Sequence, residues 1–406
     1  MSLATERSAD ATEAGTKRDE CRAAGVACGA HAVHDGFTDV IFVLLPVWQK
    51  EFGLGYAELG MLRGVFAGTM ASFQIPAALL AERLGVAPVL AMGTALAGAG
   101  YCLAGASAGF AMLVVALFVG GLGASTQHPL ASALMARTYA GPRSLKALGT
   151  YNFAGDIGKM AVPAAVALML TVMMWRPAVA SLGALGFVCA VAIILLTPRY
   201  GPEAPAASSD DAGVRGVPAV QSRIAFPVLL SIAVIDSATR MAFLTFLPFV
   251  LQAKGASLPT IGLALTLVFA GGAAGKLVCA FIGARIGAIA TVWLTEGLTA
   301  VSIVALLPLP LEAGMLLLPV IGIALNGTSS VLYGSVPDIV TPERRARAFS
   351  VFYTGSIGAG ACAPAIYGLL GDALGINIAL VVVAAIVLLT LPLALVLKPV
   401  LPSGRA

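Results

Sequence analysis

The chain is 406 residues long, 59% hydrophobic and only 11% charged, with a mean hydropathy of +0.95 and a formal net charge of +4. That balance excludes an ordinary water-soluble domain and points to a protein whose solvent is largely lipid. The small positive charge carries no basic run of the kind that binds nucleic acid, and no nucleic-acid partner is expected.

Residues 1–22 are polar, Ala-rich and charged with both signs. They lack the basic-then-apolar order of a cleavable signal and read as a disordered cytoplasmic tail. Apolar stretches follow near 26–49, 56–81, 86–106, 110–136, 147–173 and 177–197. Each is long enough to cross a hydrocarbon core of about 30 Å, which takes about 20 helical residues. Residues 198–222, with Pro198, Pro202, Pro205, Asp210 and Asp211, form the one long polar interruption and read as a cytoplasmic linker. Six more spans are expected near 224–251, 258–283, 288–308, 312–335, 346–370 and 376–397. The backbone must satisfy itself in lipid, and these segments are too long for barrel strands. The expected fold is therefore all-α and integral to the membrane, with twelve transmembrane helices. A six-helix bundle over 23–197 and a second over 223–398 precede a short cytoplasmic tail at 399–406.

Orientation follows from the bases. With the N-terminus cytoplasmic, the outer loops hold only Lys50, Arg176 and Lys254 of the 24 Lys and Arg residues, while the inner segments hold most of the rest. That asymmetry places both termini inside, and predicts a multi-pass protein of the inner or plasma membrane. The six cysteines are scattered with no CxxC pair and read as small buried side chains.

The two halves repeat at a shift near 200 residues. Asp35 aligns with Asp236, Val65-Phe66-Ala67-Gly68 with Val268-Phe269-Ala270-Gly271, and Arg83-Leu84-Gly85 with Arg285-Ile286-Gly287. Gly155-Asp156-Ile157-Gly158-Lys159 aligns with Gly355-Ser356-Ile357-Gly358-Ala359. A six-plus-six duplication about a central linker is the parallel-repeat plan of a large transporter class.

Nine ionisable residues lie inside the spans: Asp35, Asp39, Arg63, Asp156, Lys159, Asp236, Arg240, Lys276 and Glu296. Facing lipid, each would cost about 2.5–3.5 kcal/mol on insertion scales. They must line a protein interior or a water path, which makes them the candidate site. His31, Asp35 and Asp39 fall at i, i+4 and i+8 on one face of the first span. Two carboxylates and an imidazole on one face can change protonation as a cavity opens and closes, because desolvation penalises the charged carboxylate. Asp35 leads the proton-coupling candidates, with Asp39, His31 and Asp236 beside it. The competing reading is static pairing of these acids with Lys159, Arg240 or Lys276. Lys159, Arg240, Lys276 and Arg63 suggest an anionic substrate, Arg through its fork of donors and Lys as a point charge. His34, Gln74 and Asp156 complete the substrate-binding set. Intrahelical pairing of Asp156 with Lys159 and of Asp236 with Arg240 is the alternative, and it leaves Arg63 and Lys276 unpaired. His128 precedes Pro129, which can kink the fourth span, so both are gating candidates. Glu296, in the ninth expected span, is read as a packing or interface residue.

The twelve helices, the central linker and the Glu82-Arg83-Leu84-Gly85 turn resemble the major facilitator superfamily over nearly the whole chain. Ala78 stands where that superfamily's signature has a glycine, and Val86-Ala87 where bases usually follow. The resemblance gives Glu82 and Arg83 a gating role. More locally, His31-x-x-His34-Asp35-Gly36, His128-Pro129, Gly155-Asp156-Ile157-Gly158-Lys159 and Gly275-Lys276 look like the fosmidomycin-resistance-type branch. The resemblance implies alternating access: two bundles rocking about a midplane site, with protons and a small molecule as partners, in a monomer.

The sequence-level expectation is a proton-coupled secondary transporter exporting a small organic anion or drug-like compound by antiport. The antiporter signature Gly-x-x-x-Gly-Pro is present only in part, as Gly155, Gly158 and Pro163, so import of an organic anion is the near alternative. A divalent transition-metal transporter using His31, His34, Asp35, Asp39 and His128 is a further one, opposed by the neighbouring bases, and no resident metal is expected. No Walker loop, HExxH motif or GxSxG elbow supports an enzyme, and no cofactor is implied. A non-transporting receptor or assembly factor remains the different class; its charges would pack shut with no central cavity.

Overall fold

The computed structural model describes residues 2–139, 142–198, 224–341 and 344–401, and the regular elements among them are helices. In the N-terminal half these are α1 (Ser2–Phe52), α2 (Tyr56–Ser72), α3 (Gln74–Leu84), α4 (Val86–Gly105), α5 (Phe110–Ala124), α6 (Gln127–Thr138), α7 (Pro142–Met169) and α8 (Trp175–Leu196). The C-terminal half has α9 (Ala225–Ala253), α10 (Leu258–Ile286), α11 (Ala288–Leu306), α12 (Leu311–Ile339), α13 (Arg345–Leu374), α14 (Ile376–Val387) and α15 (Thr390–Val396). Among the described residues ten spans are long and apolar enough to cross a membrane, and α2 with α3, bent by 43°, makes an eleventh when taken as one span. α7 takes the place of the expected fifth span; at 28 residues it is long enough, and Asp156 and Lys159 lower its apolar character.

Two expectations meet the structure differently at the ends. α1 begins at Ser2, so the stretch expected as a disordered tail continues the first helix instead. Its Ala, Glu, Lys and Arg residues are strong helix formers, and a packed helix downstream supplies the nucleus they extend. The expected linker lies, beyond residue 198, outside the described residues.

Proline places the breaks. α2 stops at Ser72, α5 is interrupted after Ala124, and α14 gives way to α15 at Leu388. Each break falls at or next to the residue four before a proline, namely Pro76, Pro129 and Pro392. Proline donates no bond to that carbonyl and its ring crowds it. Six other prolines ride inside helices unbroken, so tertiary packing decides which sites yield. The internal repeat is visible as geometry: Gly85 (φ 90°) and Gly287 (φ 85°) end their helices in the same left-handed conformation, which only glycine adopts freely.

The packing is divided unequally along the molecule. At the end bearing the α1–α2 and α9–α10 loops, one apolar core is shared by both halves, with Leu44, Trp48, Leu62 and Phe66 against Phe243, Phe246, Leu247 and Leu265. At the opposite end each half has its own core, Val26, Leu130, Met135 and Tyr151 in one, Leu229, Ile232, Leu332 and Phe352 in the other. Two bundles thus join at one end and part at the other. Lipid gives helices no hydrophobic reason to associate, so close approach through small residues does that work. α2 meets α13 and α7 meets α10 across the shared end. A Cβ added at Gly60 would overlap the Pro364 carbonyl, which shows how near those backbones run. Asp372, at the end of α13, accepts hydrogen bonds from the Tyr56 and Ala57 amides at 2.6 and 3.0 Å. It caps the N-terminus of α2 from the other bundle, where a negative charge suits the free amides and the helix dipole.

Candidate functional site

All three histidines of the chain gather around Asp35. Helix spacing puts His31 and Asp35 on one face of α1; the break before Pro129 brings His128 in from α6. The His31 ring stacks on Tyr151 of α7, with centroids 4.0 Å apart, and its Nδ1 lies 2.9 Å from the Tyr151 carbonyl. A carbonyl can only accept, so Nδ1 carries the hydrogen and Nε2 faces Asp35 Oδ1 at 3.4 Å. That contact is attractive only if a proton lies on one side of it. His34 Nε2 and His128 Nε2 stand 3.3 Å apart, which likewise takes one N–H between them.

The bases pair only in part as the helix spacing suggests. Lys159 Nζ is 3.2 Å from Asp35 Oδ2 and only 3.8 Å from Asp156. Lys276 donates to both oxygens of Asp156, at 2.7 and 2.8 Å. The intrahelical Asp156–Lys159 pair is thus one link of a chain running His31–Asp35–Lys159–Asp156–Lys276 across α1, α7 and α10, and Lys276 is not the free base expected. The reason is geometric: α1 and α7 cross so closely that a Cβ at Gly158 would overlap the Ala32 carbonyl, which sets Asp35 against Lys159. The last link joins the two bundles. The side chains of Lys159 and Lys276 are 30% and 42% exposed, against 6% for Asp35, so the bases are the accessible members.

Arg63, expected as an unpaired base, is 2% exposed. Its Nη2 is 4.0 Å from Asp39 Oδ1 and its guanidinium lies 4.9 Å over the Phe42 ring. It sits among shared-core side chains instead of facing open space.

In the C-terminal bundle, Asp236 and Arg240 are joined through Ser329 instead of directly. The Ser329 hydroxyl donates to Asp236 Oδ2 at 2.9 Å and accepts from Arg240 Nη1 at 3.1 Å. Glu296, read as a packing or interface residue, is 1% exposed, and its Oε1 has no hydrogen-bond partner among the described residues. α11 turns its carboxyl inward because the neighbouring α12 offers a run of polar side chains, Asn326, Thr328 and Ser329, within an apolar span. That run was the legible signal for Ser329 and Thr328. Nothing in the sequence marked Tyr151. Gln74 opens α3 at the bend, half-buried and outside the charged cluster, and Glu82 and Arg83 are exposed at the parted end.

His31, Asp35 and His128 also offer atoms within 4.8 Å of one another, a spacing that fits a metal ion. Lys159, 3.2 Å from the same carboxylate, opposes a second cation there. An apolar hollow lined by Phe73, Pro76, Leu80, Met92, Leu96 and Phe187 lies between α3, α4 and α8, away from the charges.

Two bundles that share a core at one end, with buried charges linking them at mid-depth, make a membrane transporter and not an enzyme. The chain belongs to the Major Facilitator Superfamily, whose model matches residues 27–235 and 229–406. It is 25% identical over 264 residues to a probable L-galactonate transporter of Escherichia coli. It is 31% identical over 147 residues to the probable sulfoacetate transporter SauU of Cupriavidus necator. Those matches span 56% and 34% of the two relatives, and 61% and 36% of this chain. In fold it is similar to a bacterial homolog of the human lysosomal transporter Spinster, in an inward-facing and occupied conformation, with a TM-score of 0.75 at 15% identity over 93% of this chain and 96% of that one. The nucleoside transporter NupG gives a TM-score of 0.74 at 12% identity, covering 94% and 99%.

Proposed function

We propose that the protein carries a small organic anion across the inner or plasma membrane, coupled to protons, by alternating access. The observation that carries this is the chain Asp35–Lys159–Asp156–Lys276, in which each accessible base is already neutralised by a carboxylate. An anion that takes Lys159 or Lys276 as its partner leaves a carboxylate unmatched in a low-dielectric site, a state that costs several kcal/mol. A proton on Asp35, Asp156 or the His31 Nε2–Asp35 contact removes that cost. Proton and anion therefore favour each other's binding, which is cotransport. The relatives named for galactonate and sulfoacetate, both carboxylates, support the substrate class. With the termini cytoplasmic, the parted ends of the bundles face inward, and this is the inward-open arrangement of the cycle.

The resemblance to fosmidomycin-resistance-type exporters supports a second reading, proton antiport of a phosphonate-like or other anionic drug. The sign of the driving gradient separates the two. Proteoliposomes are loaded with a pH gradient of either sense and offered galactonate, sulfoacetate and a simple phosphonate. Cotransport predicts accumulation when the outside is acid, abolished in Asp35→Asn and reduced in Lys276→Ala. Accumulation only when the inside is acid means antiport; flux indifferent to either gradient removes proton coupling altogether.

A further inference from the structure

We propose that His31, Asp35 and His128, with His34 as a fourth donor, form a binding site for a divalent transition metal ion such as zinc, and that the seated ion arrests transport. The donor atoms are already gathered. Atoms of His31, Asp35 and His128 all lie within 4.8 Å of one another. His34 Nε2 is 3.3 Å from His128 Nε2 and 3.9 Å from Asp35 Oδ1, and His31 Nε2 is 3.4 Å from that same oxygen. Bonds of about 2.0–2.2 Å to a tetrahedral ion set neighbouring donors about 3.4 Å apart, so two of these three edges have the spacing of a filled site.

One buried nitrogen lacks a hydrogen bond. His31 is 4% exposed, its Nδ1–H donates to the Tyr151 carbonyl, and its Nε2 has no hydrogen-bond partner among the described residues. A histidine held through one nitrogen by a backbone carbonyl presents the other as a lone pair, which is how metal-binding imidazoles are oriented. Stacking on Tyr151 fixes the plane of the ring. His31 and Asp35 stand one helical turn apart on α1, a spacing at which two side chains reach one ion. His128 comes from α6, so the site closes across two helices.

Lys159 selects which ions enter. It lies 3.2 Å from Oδ2 of Asp35, whereas His31 and His34 face Oδ1, and Asp156 at 3.8 Å offers it a second carboxylate. Its repulsion acts on every cation. Transition metals gain enough from imidazole nitrogen to offset it, while calcium and magnesium seek oxygen ligands. His128 is the half-buried member and gives the ion its way in. The arrest of transport rests on the transporter reading; the site does not. An ion bridging His31 Nε2 and Asp35 Oδ1 occupies the contact that this reading gives to the proton.

The test is zinc titration of the purified full chain in detergent, with X-ray absorption at the zinc edge to detect imidazole ligands. The expected result is one zinc per chain on imidazole, bound at least about tenfold more weakly by His128→Ala. Lys159→Met should bind it more tightly, because the opposing charge is gone. Absence of stoichiometric zinc overturns the site. So does binding that neither variant alters, which would place the ion on other donors such as the cysteines. Zinc added to proteoliposomes should lower the native chain's proton-driven flux, and His128→Ala should need at least about tenfold more zinc for the same fractional loss. Zinc accumulating inside the vesicles would make it cargo and overturn the arrest. If no anion moves in any flux assay, the titration still decides the site, so the two readings fall separately.

Discussion

At the scale of single residues, the decisive feature is which carboxylate neutralises which base. Lys276 and Asp156 come from different bundles and share two hydrogen bonds. Removing one partner strands the other at a partly exposed site, which costs about 1–3 kcal/mol, between the limits for surface and buried pairs. Asp156→Asn and Lys276→Met should each lower the unfolding temperature measured in detergent, while the double variant recovers most of the loss. Strictly additive losses would mean the pair is not coupled. The sequence marked these residues as charges within apolar spans, which need a partner or a water path. Of the partners that helix spacing suggests, Asp156 and Lys159 at i+3 are kept at 3.8 Å, Asp236 and Arg240 at i+4 are bridged by Ser329, and the Asp156–Lys276 pair was not foreseen. Pairing across helices depends on which faces the crossings bring together. A lone acid such as Glu296 in the ninth span likewise carries no mark of which way its helix is turned.

At the scale of elements, glycines and prolines set how helices meet and where they break. The break at Ser125 was expected from Pro129, the break at Ser72 was not, and the six unbroken proline sites are not distinguishable from either in the sequence. Gly158 and Gly60 occupy crossings of different kind. The first lies between α1 and α7 of one bundle, the second between α2 and α13 of opposite bundles. Gly158→Leu should therefore damage the N-terminal bundle itself, by about 1–3 kcal/mol, seen as a lower unfolding temperature. Gly60→Leu should leave each bundle intact and hold their joined ends apart. Its signature is a near-native unfolding temperature with faster amide exchange in the first turns of α2 and the last turns of α13. Equal destabilisation by both substitutions would contradict this division.

At the scale of the whole molecule, the shared core, the α2–α13 and α7–α10 contacts and the Asp372 cap together hold one end shut. Charge-assisted bonds to the Tyr56 and Ala57 amides, discounted for their exposure, contribute about 1–2 kcal/mol to that arrangement. An energy of that size moves a two-state equilibrium roughly tenfold. Asp372→Ala should speed exchange at the closed end of α2 and α13 and, in the same protein, slow it at the parted ends of α3 and α12. Faster exchange at the closed end alone would reduce Asp372 to a local cap.

Residence in the membrane, the internal repeat and the presence of charges within apolar helices follow from the sequence by itself. Lipid permits only long apolar helices with internally satisfied backbones, duplication leaves matching glycines, and a charge within such a helix has nowhere to be but inside. The tertiary structure alone decided the rest: that the three histidines converge on Asp35, that Asp156 reaches across to Lys276, and that the apolar core is shared at one end of the molecule and divided at the other. Those outcomes depend on rotations and crossings of whole helices. The contacts that decide them, His34 with His128 and Lys276 with Asp156, join residues 94 and 120 positions apart, and no local spacing encodes them.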